Sequence, residues 1–234
     1  MGRRRYVIIM AAGSGTRMGG PLPKQFLDLG GKAVLQHTIE TFLEACPGIS
    51  VVTVLNADYI EYWRNYCLKR NFTCPQITVA GGITRFHSVR NALEKIPDGA
   101  LVAVHDGVRP LVSPSLVAEM FEKAADVPAL IPVVPCVDTL KVLQKSGDEL
   151  RTVDGAVADR SVLYAAQTPQ IFHSEILKSA YALPYDTMFT DDASVVQKYG
   201  KSLSYLIGER LNIKITTQED LMLARAVMSL KEKV

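Results

Sequence analysis

The residues best suited to chemistry lie near the amino terminus, in the segment IIMAAGSGTRMGGPLPKQF from Ile8 to Phe26. An apolar run from Tyr6 to Met10 predicts a strand buried on both faces, because apolar and polar residues do not alternate along it. The small residues that follow let a ligand approach the backbone N–H groups closely, and two cations, Arg17 and Lys24, stand among them. Backbone N–H groups and fixed cations together stabilise a polyphosphate, so this segment is a candidate phosphate-binding loop. Its composition alone is equally compatible with a surface loop that carries two solvated charges.

The spacing of the glycines excludes two familiar nucleotide motifs. The dinucleotide-binding pattern needs a third glycine where the chain has Met18, and a P-loop needs Gly-Lys-Ser/Thr, which is absent. The first mismatch disfavours a nicotinamide-dependent dehydrogenase. Helix formation is opposed by Gly19, Gly20, Pro21 and Pro23, which predicts a long loop over the end of the first strand.

Strand and helix patterns alternate over most of the chain. Further strands are predicted at 50–56, 76–80, 101–105, 129–134, 203–207 and 212–215. Helices are predicted near 35–43, 58–69 and 85–96, the second of them capped by Asp58. Four more helices are predicted to begin at 114, at 174, after a cap at Thr190 and at 217. This order predicts an α/β fold with a mostly parallel, Rossmann-like sheet and helices on both faces, in one domain over residues 1–234. Such sheets bind ligands beyond the carboxyl ends of their strands. The glycine loop, Gly81-Gly82 and Asp106-Gly107 each follow an apolar strand, so we expect them along one edge.

Between about Pro135 and Asp159 the alternation is interrupted. Two extended runs, 139–145 and 149–154, flank Ser146-Gly147-Asp148 and predict a β-hairpin. An isolated hairpin is marginally stable in water, so we expect an arm that packs on a second subunit and makes a homodimer. A hairpin folded back on its own domain is the alternative.

Composition limits the class of protein. Of the 234 residues 48% are hydrophobic and 21% charged, which favours a folded core over disorder. The net charge of +2 is too small to indicate nucleic-acid binding, and no apolar stretch approaches the length of a membrane span. The four cysteines form no Cys-x-x-Cys pair and indicate thiols in a reducing compartment: Cys46, Cys67, Cys74 and Cys136. We therefore expect a cytoplasmic protein that binds neither nucleic acid nor membranes.

The motif AAGSGTRMG followed by PLPKQF resembles the nucleotidyltransferases that activate sugar and polyol phosphates, and more narrowly the 2-C-methyl-D-erythritol 4-phosphate cytidylyltransferase family. Further segments resemble that family in order along nearly the whole chain: the Gly81-Gly82 turn, HDGVRP at 105–110, QTPQ at 167–170, TDDAS at 190–194 and NIKITT at 212–217. The resemblance implies the nucleotide-diphospho-sugar transferase fold with a protruding β-hairpin arm. It also implies transfer of the CMP moiety of CTP to 2-C-methyl-D-erythritol 4-phosphate, which gives 4-diphosphocytidyl-2-C-methyl-D-erythritol and pyrophosphate.

The resemblance assigns roles to individual residues. The cations expected around the triphosphate, the transition state and the incoming phosphate are Arg17, Lys24, Arg160 and Lys214. The residues expected to bind CTP are Ala11, Ala12, Gly13, Ser14, Gly15, Gly81, Gly82, Arg85, Ser88, Asp106 and Gly107. Those expected to bind the second substrate are Asp106, Arg109, Thr139, Arg160, Thr168, Thr190 and Lys214. Mg²⁺ or another divalent cation is expected on the CTP phosphates, with Asp106 as the candidate protein ligand. Family members often carry an acidic residue after the second glycine, where this chain has Ile83.

This reaction needs positioning and positive charge more than a base. A phosphate monoester has a second pKa of about 6, so its oxygen is already nucleophilic at neutral pH. Cations around the developing charge then supply the catalysis, and His105 is expected to be a packed strand histidine. Ribitol 5-phosphate cytidylyltransferase and a non-catalytic nucleotide-binding module are the alternatives. The Arg85-x-x-Ser88-Val89 run and the TDDAS segment favour methylerythritol phosphate.

Overall fold

The computed structural model describes residues 2–13, 20 and 22–231. Several residues of the expected phosphate loop lie outside the described residues: Ser14, Gly15, Thr16, Arg17, Met18, Gly19 and Pro21. The described strands are β1 (Arg4–Ala11), β2 (Asp28–Leu29), β3 (Lys32–Ala33), β4 (Ser50–Leu55), β5 (Gln76–Ala80), β6 (Ala100–Asp106), β7 (Ala129–Pro135), β8 (Leu143–Ser146), β9 (Glu149–Thr152), β10 (Tyr164–Ala166), β11 (Gln170–His173) and β12 (Ser204–Ile207). The helices are α1 (Val34–Ala45), α2 (Ile60–Lys69), α3 (Arg85–Leu93), α4 (Pro114–Lys123), α5 (Ser174–Tyr181), α6 (Asp192–Lys198) and α7 (Gln218–Lys231). Single 3-10 turns cover Lys24–Phe26, Ala57–Tyr59 and Arg160–Val162.

The main sheet is built outward from β1. This strand pairs in parallel with β4 on one side and β6 on the other, and β5 extends the parallel set beyond β4. β11 pairs antiparallel with both β6 and β7, β10 continues the antiparallel pairing along β7, and β12 pairs with β7 in parallel. The expected mostly parallel α/β sheet is confirmed, with one antiparallel insertion.

Helices cover both faces of this sheet, as the sequence predicts. Successive residues of a strand point to opposite faces. Ile8 accordingly packs in the cluster that contains residues of α3, α5 and α6, whereas Val7 and Ile9 pack in the cluster that contains residues of α1 and α4. A third cluster joins α7 to Ile215 and Val108, next to the end of β6. Among the described helices none is both long and apolar enough to cross a bilayer. The four cysteines are unpaired, as expected.

The expected hairpin forms its own two-stranded sheet from β8 and β9. Its strands cover Leu143–Ser146 and Glu149–Thr152, shorter than the predicted 139–145 and 149–154. All eight strand residues are exposed, and so are apolar side chains nearby, including Val157 and Val162. The hairpin therefore does not bury itself in the core of its own chain.

Three local predictions are wrong. Residues 212–215 form no strand, because side-chain bonds and two isolated backbone bonds, Asn212 N–H to Glu209 O and Ile215 N–H to Val108 O, hold this segment instead of a ladder. The cap of α6 is Asp191 rather than Thr190, since the Asp191 carboxylate accepts from Ser194 N–H in a capping box. The turn before α2 is capped by Asn56 rather than Asp58.

Candidate active site

A cleft of about 460 Å³ opens at the carboxyl ends of β1 and β6. It is lined by residues from all three expected strand ends together with the segment after β12: Met10, Ala11, Ala12, Gly13, Lys24, Gln25, Gly82, Ile83, Thr84, Arg85, Ser88, Asp106, Val108 and Lys214. Parallel strands end at the same edge of a sheet, so residues from distant segments meet there. The expected convergence along one edge is confirmed. A second cavity, of about 510 Å³, lies at α2 around Trp63 and Gln76, away from these strand ends.

Asp106 is the electrostatic centre of the cleft. It ends β6 and is only 7% exposed, and its Oδ2 lies 3.1 Å from both Arg109 Nε and Lys214 Nζ. Burial alone would raise the pKa of this carboxyl, but the charges of Lys214, Arg85 and Arg109 outweigh burial and hold the pKa well below its ordinary value. Asp106 is therefore a permanent anion that orients cations at the cleft.

A hydrogen-bonded chain behind Asp106 fixes its backbone. Asp106 N–H donates to Thr168 Oγ1 at 3.1 Å, and Thr168 Oγ1 lies 3.0 Å from Nδ1 of the fully buried His105. His105 Nε2 must carry a hydrogen, because its partner at 3.2 Å is the carbonyl of Arg109, which can only accept. Burial lowers the pKa of His105 to about 4, so the ring is neutral at pH 7. His105 is thus the packed strand histidine that the sequence predicts.

The turn after β5 carries glycines that allow close backbone approach. A Cβ on Gly81 would lie 2.5 Å from Ala12 Cβ, and one on Gly82 would lie 2.5 Å from His87 Cβ. Gly82 N–H donates to Ser88 Oγ at 3.0 Å, and that hydroxyl donates to Thr84 O at 3.0 Å. Ser88 therefore shapes the turn, and Gly82 together with Ser88 forms one wall of the cleft.

Arg85 opens α3 at the same wall and is held from behind. Its guanidinium makes two bonds to the Asp192 carboxylate, of 2.8 and 2.5 Å, and Tyr181 Oη donates to the same carboxylate at 2.6 Å. Burial would lower the pKa of Arg85, but the fully buried Asp192 outweighs it and raises that pKa above its ordinary value. This bidentate pair links the start of α3, next to the Gly81-Gly82 turn, to the first turn of α6, next to Thr190.

Gln25 anchors the start of the expected phosphate loop. This side chain is buried, and its Nε2 donates to Ala11 O at 2.7 Å and to Gly13 O at 3.1 Å. The 3-10 turn Lys24–Phe26 thereby returns the chain to the end of β1, and Lys24 lines the cleft. Gln25 keeps the backbone that leads into the loop close to the strand end.

The expected site residues divide into three groups. Those at the cleft or directly bonded to it are Ala11, Ala12, Gly13, Lys24, Gly81, Gly82, Arg85, Ser88, Asp106, Gly107, Arg109, Thr168 and Lys214. Three exposed residues stand apart from the residues that line it, with Thr139 and Arg160 on the arm and Thr190 before α6. The third group is Ser14, Gly15 and Arg17, which lie outside the described residues. The substrate-binding roles of all of them stay predictions.

Sequence reasoning missed four buried polar side chains that organise the site: Gln25, Gln167, Asn212 and Asp192. All four lie within motifs that the resemblance singled out, PLPKQF, QTPQ, NIKITT and TDDAS, but site roles were assigned only to neighbouring residues. A polar side chain between apolar or small residues is the signal that could have found them, since buried amides and carboxylates need fixed partners.

Comparisons with known proteins agree with this geometry. The family model described as 2-C-methyl-D-erythritol 4-phosphate cytidylyltransferase (IspD) matches residues 6–230. The chain is 43% identical over 231 residues to the protein of that name from Porphyromonas gingivalis, covering 98% of this chain and 100% of the relative. It is 42% identical over 224 residues to that of Phocaeicola vulgatus, covering 96% and 99%.

Solved structures give the same result. A 4-diphosphocytidyl-2C-methyl-D-erythritol synthase from Anaerococcus prevotii superposes with a TM-score of 0.79 at 28% identity, covering 97% of this chain and 96% of the other. The 2-C-methyl-D-erythritol 4-phosphate cytidylyltransferase of Thermus thermophilus superposes with a TM-score of 0.73 at 31% identity, covering 97% and 99%. Family match, near-complete coverage and fold agree, and the chain belongs to the 2-C-methyl-D-erythritol 4-phosphate cytidylyltransferase family.

Proposed function

We propose that the protein transfers the CMP moiety of CTP to 2-C-methyl-D-erythritol 4-phosphate, giving 4-diphosphocytidyl-2-C-methyl-D-erythritol and pyrophosphate, a step in isoprenoid precursor synthesis. The observation that carries this proposal is the cleft at the sheet edge, where Lys24 and Lys214, from opposite ends of the chain, line the same cavity and Lys214 pairs with Asp106. Two anionic substrates repel each other, and fixed cations offset that repulsion. Membership of the family supplies the identity of the substrates.

The chemistry follows from this arrangement. An oxygen of the alditol phosphate attacks the α-phosphorus of CTP, the new P–O bond forms, and the bond to the pyrophosphate oxygen breaks with its electron pair leaving on pyrophosphate. We assign Lys24 and Arg17 to the charge that develops on the triphosphate, and Lys214 to the incoming phosphate. Asp106 orients Lys214 and Arg109 and accepts hydrogen bonds from hydroxyl groups of the substrates. No residue needs to remove a proton from the phosphate nucleophile.

We propose that Mg²⁺ or a similar ion arrives on the CTP phosphates. Among the described residues no group of three or more His, Cys, Asp or Glu side chains could hold a metal ion, so a cage built wholly from this part of the protein does not form. Of the described residues that line the cleft, Asp106 is the one with an acidic side chain, and Mg²⁺ is commonly held by one or two carboxylates plus substrate phosphates. The donor set therefore fits an ion carried by the nucleotide, which would neutralise charge on the α- and β-phosphates when bound.

We propose further that the arm of one subunit completes the cleft of a second. Arg160 and Thr139 are exposed, and Arg160 donates to Val137 O within its own arm at 3.0 Å. The exposed apolar side chains Leu150 and Val157 favour a protein surface as the arm's partner. The four unpaired cysteines fit a reducing, cytoplasmic location.

Mixed dimers test this arrangement. Lys24→Ala and Arg160→Ala proteins are each expected to be nearly inactive. If Arg160 serves the neighbouring cleft, a 1:1 mixture of re-equilibrated subunits regains about a quarter of the wild-type activity, because half of the dimers then contain one intact site. Sedimentation shows whether dimers are present. A mixture that stays inactive although heterodimers form would assign Arg160 to its own chain.

The choice of alditol is tested by pyrophosphate release from CTP. We expect turnover with 2-C-methyl-D-erythritol 4-phosphate and at least ~10²-fold lower kcat/KM with ribitol 5-phosphate, since mispaired hydroxyls leave buried polar groups without partners. UTP and ATP serve as nucleotide controls. Turnover with ribitol 5-phosphate alone would identify the alternative activity. If no pyrophosphate is released with either alditol phosphate, both cytidylyltransferase activities are rejected.

A further inference from the structure

The position of Lys214 depends on a segment that belongs to no helix or strand. Lys214 is half exposed and lies two residues after the buried Asn212, in the stretch 208–217, which contains neither strand nor helix. The backbone bond from Ile215 N–H to Val108 O anchors the far side of Lys214. What anchors the near side decides how precisely its ammonium group faces the cleft.

The near side is held by the amide of Gln167. This side chain is 6% exposed, and its Nε2 donates to Glu209 O at 2.8 Å, while its Oε1 accepts from Glu209 N–H at 3.2 Å. Longer contacts of 3.4 Å join the same amide to Asn212 O and Asn212 Nδ2. One buried amide therefore satisfies both backbone groups of Glu209 in the manner of a paired strand.

Asn212 links the Gln167 amide to the two cations, Arg109 and Lys214. Its Nδ2 donates to Thr168 O at 2.8 Å, and its backbone carbonyl accepts from Arg109 Nη1 at 2.7 Å. Arg109 and Lys214 converge on the same Asp106 oxygen. The amide of Gln167 thus lies within a few bonds of both cations without lining the cleft itself.

The glycine at 208 is matched to this contact. A Cβ at Gly208 would lie 2.4 Å from Gln167 Oε1, so only glycine lets the backbone approach the amide this closely. Both partners also bond to neighbouring residues of β7, Gln167 N–H to Pro132 O and Gly208 N–H to Val133 O, each at 2.8 Å. The sheet therefore sets the positions from which the amide and the loop meet.

We propose that Gln167 is a positioning residue for the cytidylyl-transfer reaction, acting through the 209–212 segment to hold Lys214 against the incoming alditol phosphate. The proposal rests on the function proposed above and on the role assigned there to Lys214. A displacement of about 1 Å at a group that positions substrate can cost ~10²-fold in rate. Loss of the amide is therefore expected to weaken use of the alditol phosphate more than binding of CTP.

The test is a double-mutant cycle on the full-length enzyme. We expect Gln167→Ala to lower kcat/KM for the alditol phosphate by roughly 10- to 100-fold, with the KM for CTP changed by less than about threefold. In a Lys214→Ala background, adding Gln167→Ala should lower kcat/KM for the alditol phosphate by less than about threefold further. A residue that acts through Lys214 has no effect once Lys214 is gone. Gln36→Ala is the matched control, since Gln36 is as buried, bonds to Glu40 and Tyr66, and does not line the cleft.

Gly208→Ala provides an independent variant that leaves Gln167 in place and displaces only its amide. It should reproduce the loss of kcat/KM for the alditol phosphate. If Gln167→Ala does not fold, Gly208→Ala replaces it in the double-mutant cycle with Lys214→Ala. Additive losses in the Lys214→Ala background, or equal losses for both substrates, overturn the proposal. An inactive wild-type enzyme would instead contradict the proposed function, so the two failures are distinguishable.

Discussion

Replacing Lys24 with alanine is expected to lower kcat by ~10²–10³-fold while the dissociation constant for CTP changes by less than about tenfold. Lys24 lines the cleft from the 3-10 turn that follows the expected phosphate loop, and the proposed function assigns it to the triphosphate. Charge on the triphosphate oxygens increases as the bond to pyrophosphate breaks. A cation near them therefore stabilises the transition state more than bound CTP. Stopped-flow binding of CTP together with pyrophosphate release separates the two effects.

Lys32→Ala is the matched control for Lys24. Lys32 lies on β3, is half exposed and pairs with Glu40 at 2.8 Å, a surface ion pair of small energetic value. It should leave both measurements unchanged. Equal losses of turnover and CTP binding in Lys24→Ala would favour a nucleotide-binding module without catalytic function, the alternative that the sequence left open.

The change Asp106→Asn should be the most damaging isosteric substitution in the cleft. It removes the negative charge that Lys214 and Arg109 share at 3.1 Å and leaves these cations to repel each other. We expect kcat/KM for both substrates to fall by about 10²-fold or more. The free energy of unfolding should fall by about 1–3 kcal/mol, less than for a fully buried pair because Lys214 is half exposed. Denaturant unfolding at pH 7 measures the second effect.

The stability difference between wild type and Asp106→Asn should depend on pH in a defined direction. The pKa of Asp106 in the folded protein lies below its ordinary value of 3.8, because nearby cations outweigh burial. The carboxylate therefore contributes stability that is fully present above pH 3.8 and is lost as the pH falls toward the folded pKa. The free energies of unfolding of wild type and Asp106→Asn, plotted against pH, should therefore converge as the pH is lowered. Asp98→Asn, which removes an exposed partner of Lys178, should change stability by less than about 0.5 kcal/mol throughout. Curves that stay equally separated at low pH would contradict the linkage.

The elements that carry the cleft could be predicted because their signals are local. β1 and β6 are largely apolar runs that lead into Ala12-Gly13 and Asp106-Gly107, and the short strand β5 leads into Gly81-Gly82. Parallel order then follows from the alternation of strands and helices. The same signals located the hairpin arm, since Gly147 and its neighbours form a turn that needs no distant partner.

The parts that failed depend on distant partners. The 212–215 segment has the residue types of a strand, yet it finds no strand beside it and is held by Gln167, Thr168 and Val108 instead. β11 is short and inserts antiparallel between β6 and β7, a pairing that its four residues do not specify. Register and pairing of short strands are set by the sheet around them, so they cannot be read from the strand alone.

By itself, the sequence determined the α/β order, the glycine turns, the hairpin and most of the residue types that line the cleft. These features depend on the spacing of apolar residues and on backbone freedom, which act over a few neighbouring residues. Only the tertiary structure decided that Lys214 meets Asp106, that Asp192 holds Arg85 and that a buried glutamine holds the segment before Lys214. The partners in these contacts are separated by 108, 107 and 42 residues of chain, and packing of the whole sheet brings them within hydrogen-bonding distance. A buried charge or amide is stable only where such a partner is fixed, so these pairs are properties of the fold rather than of any one segment.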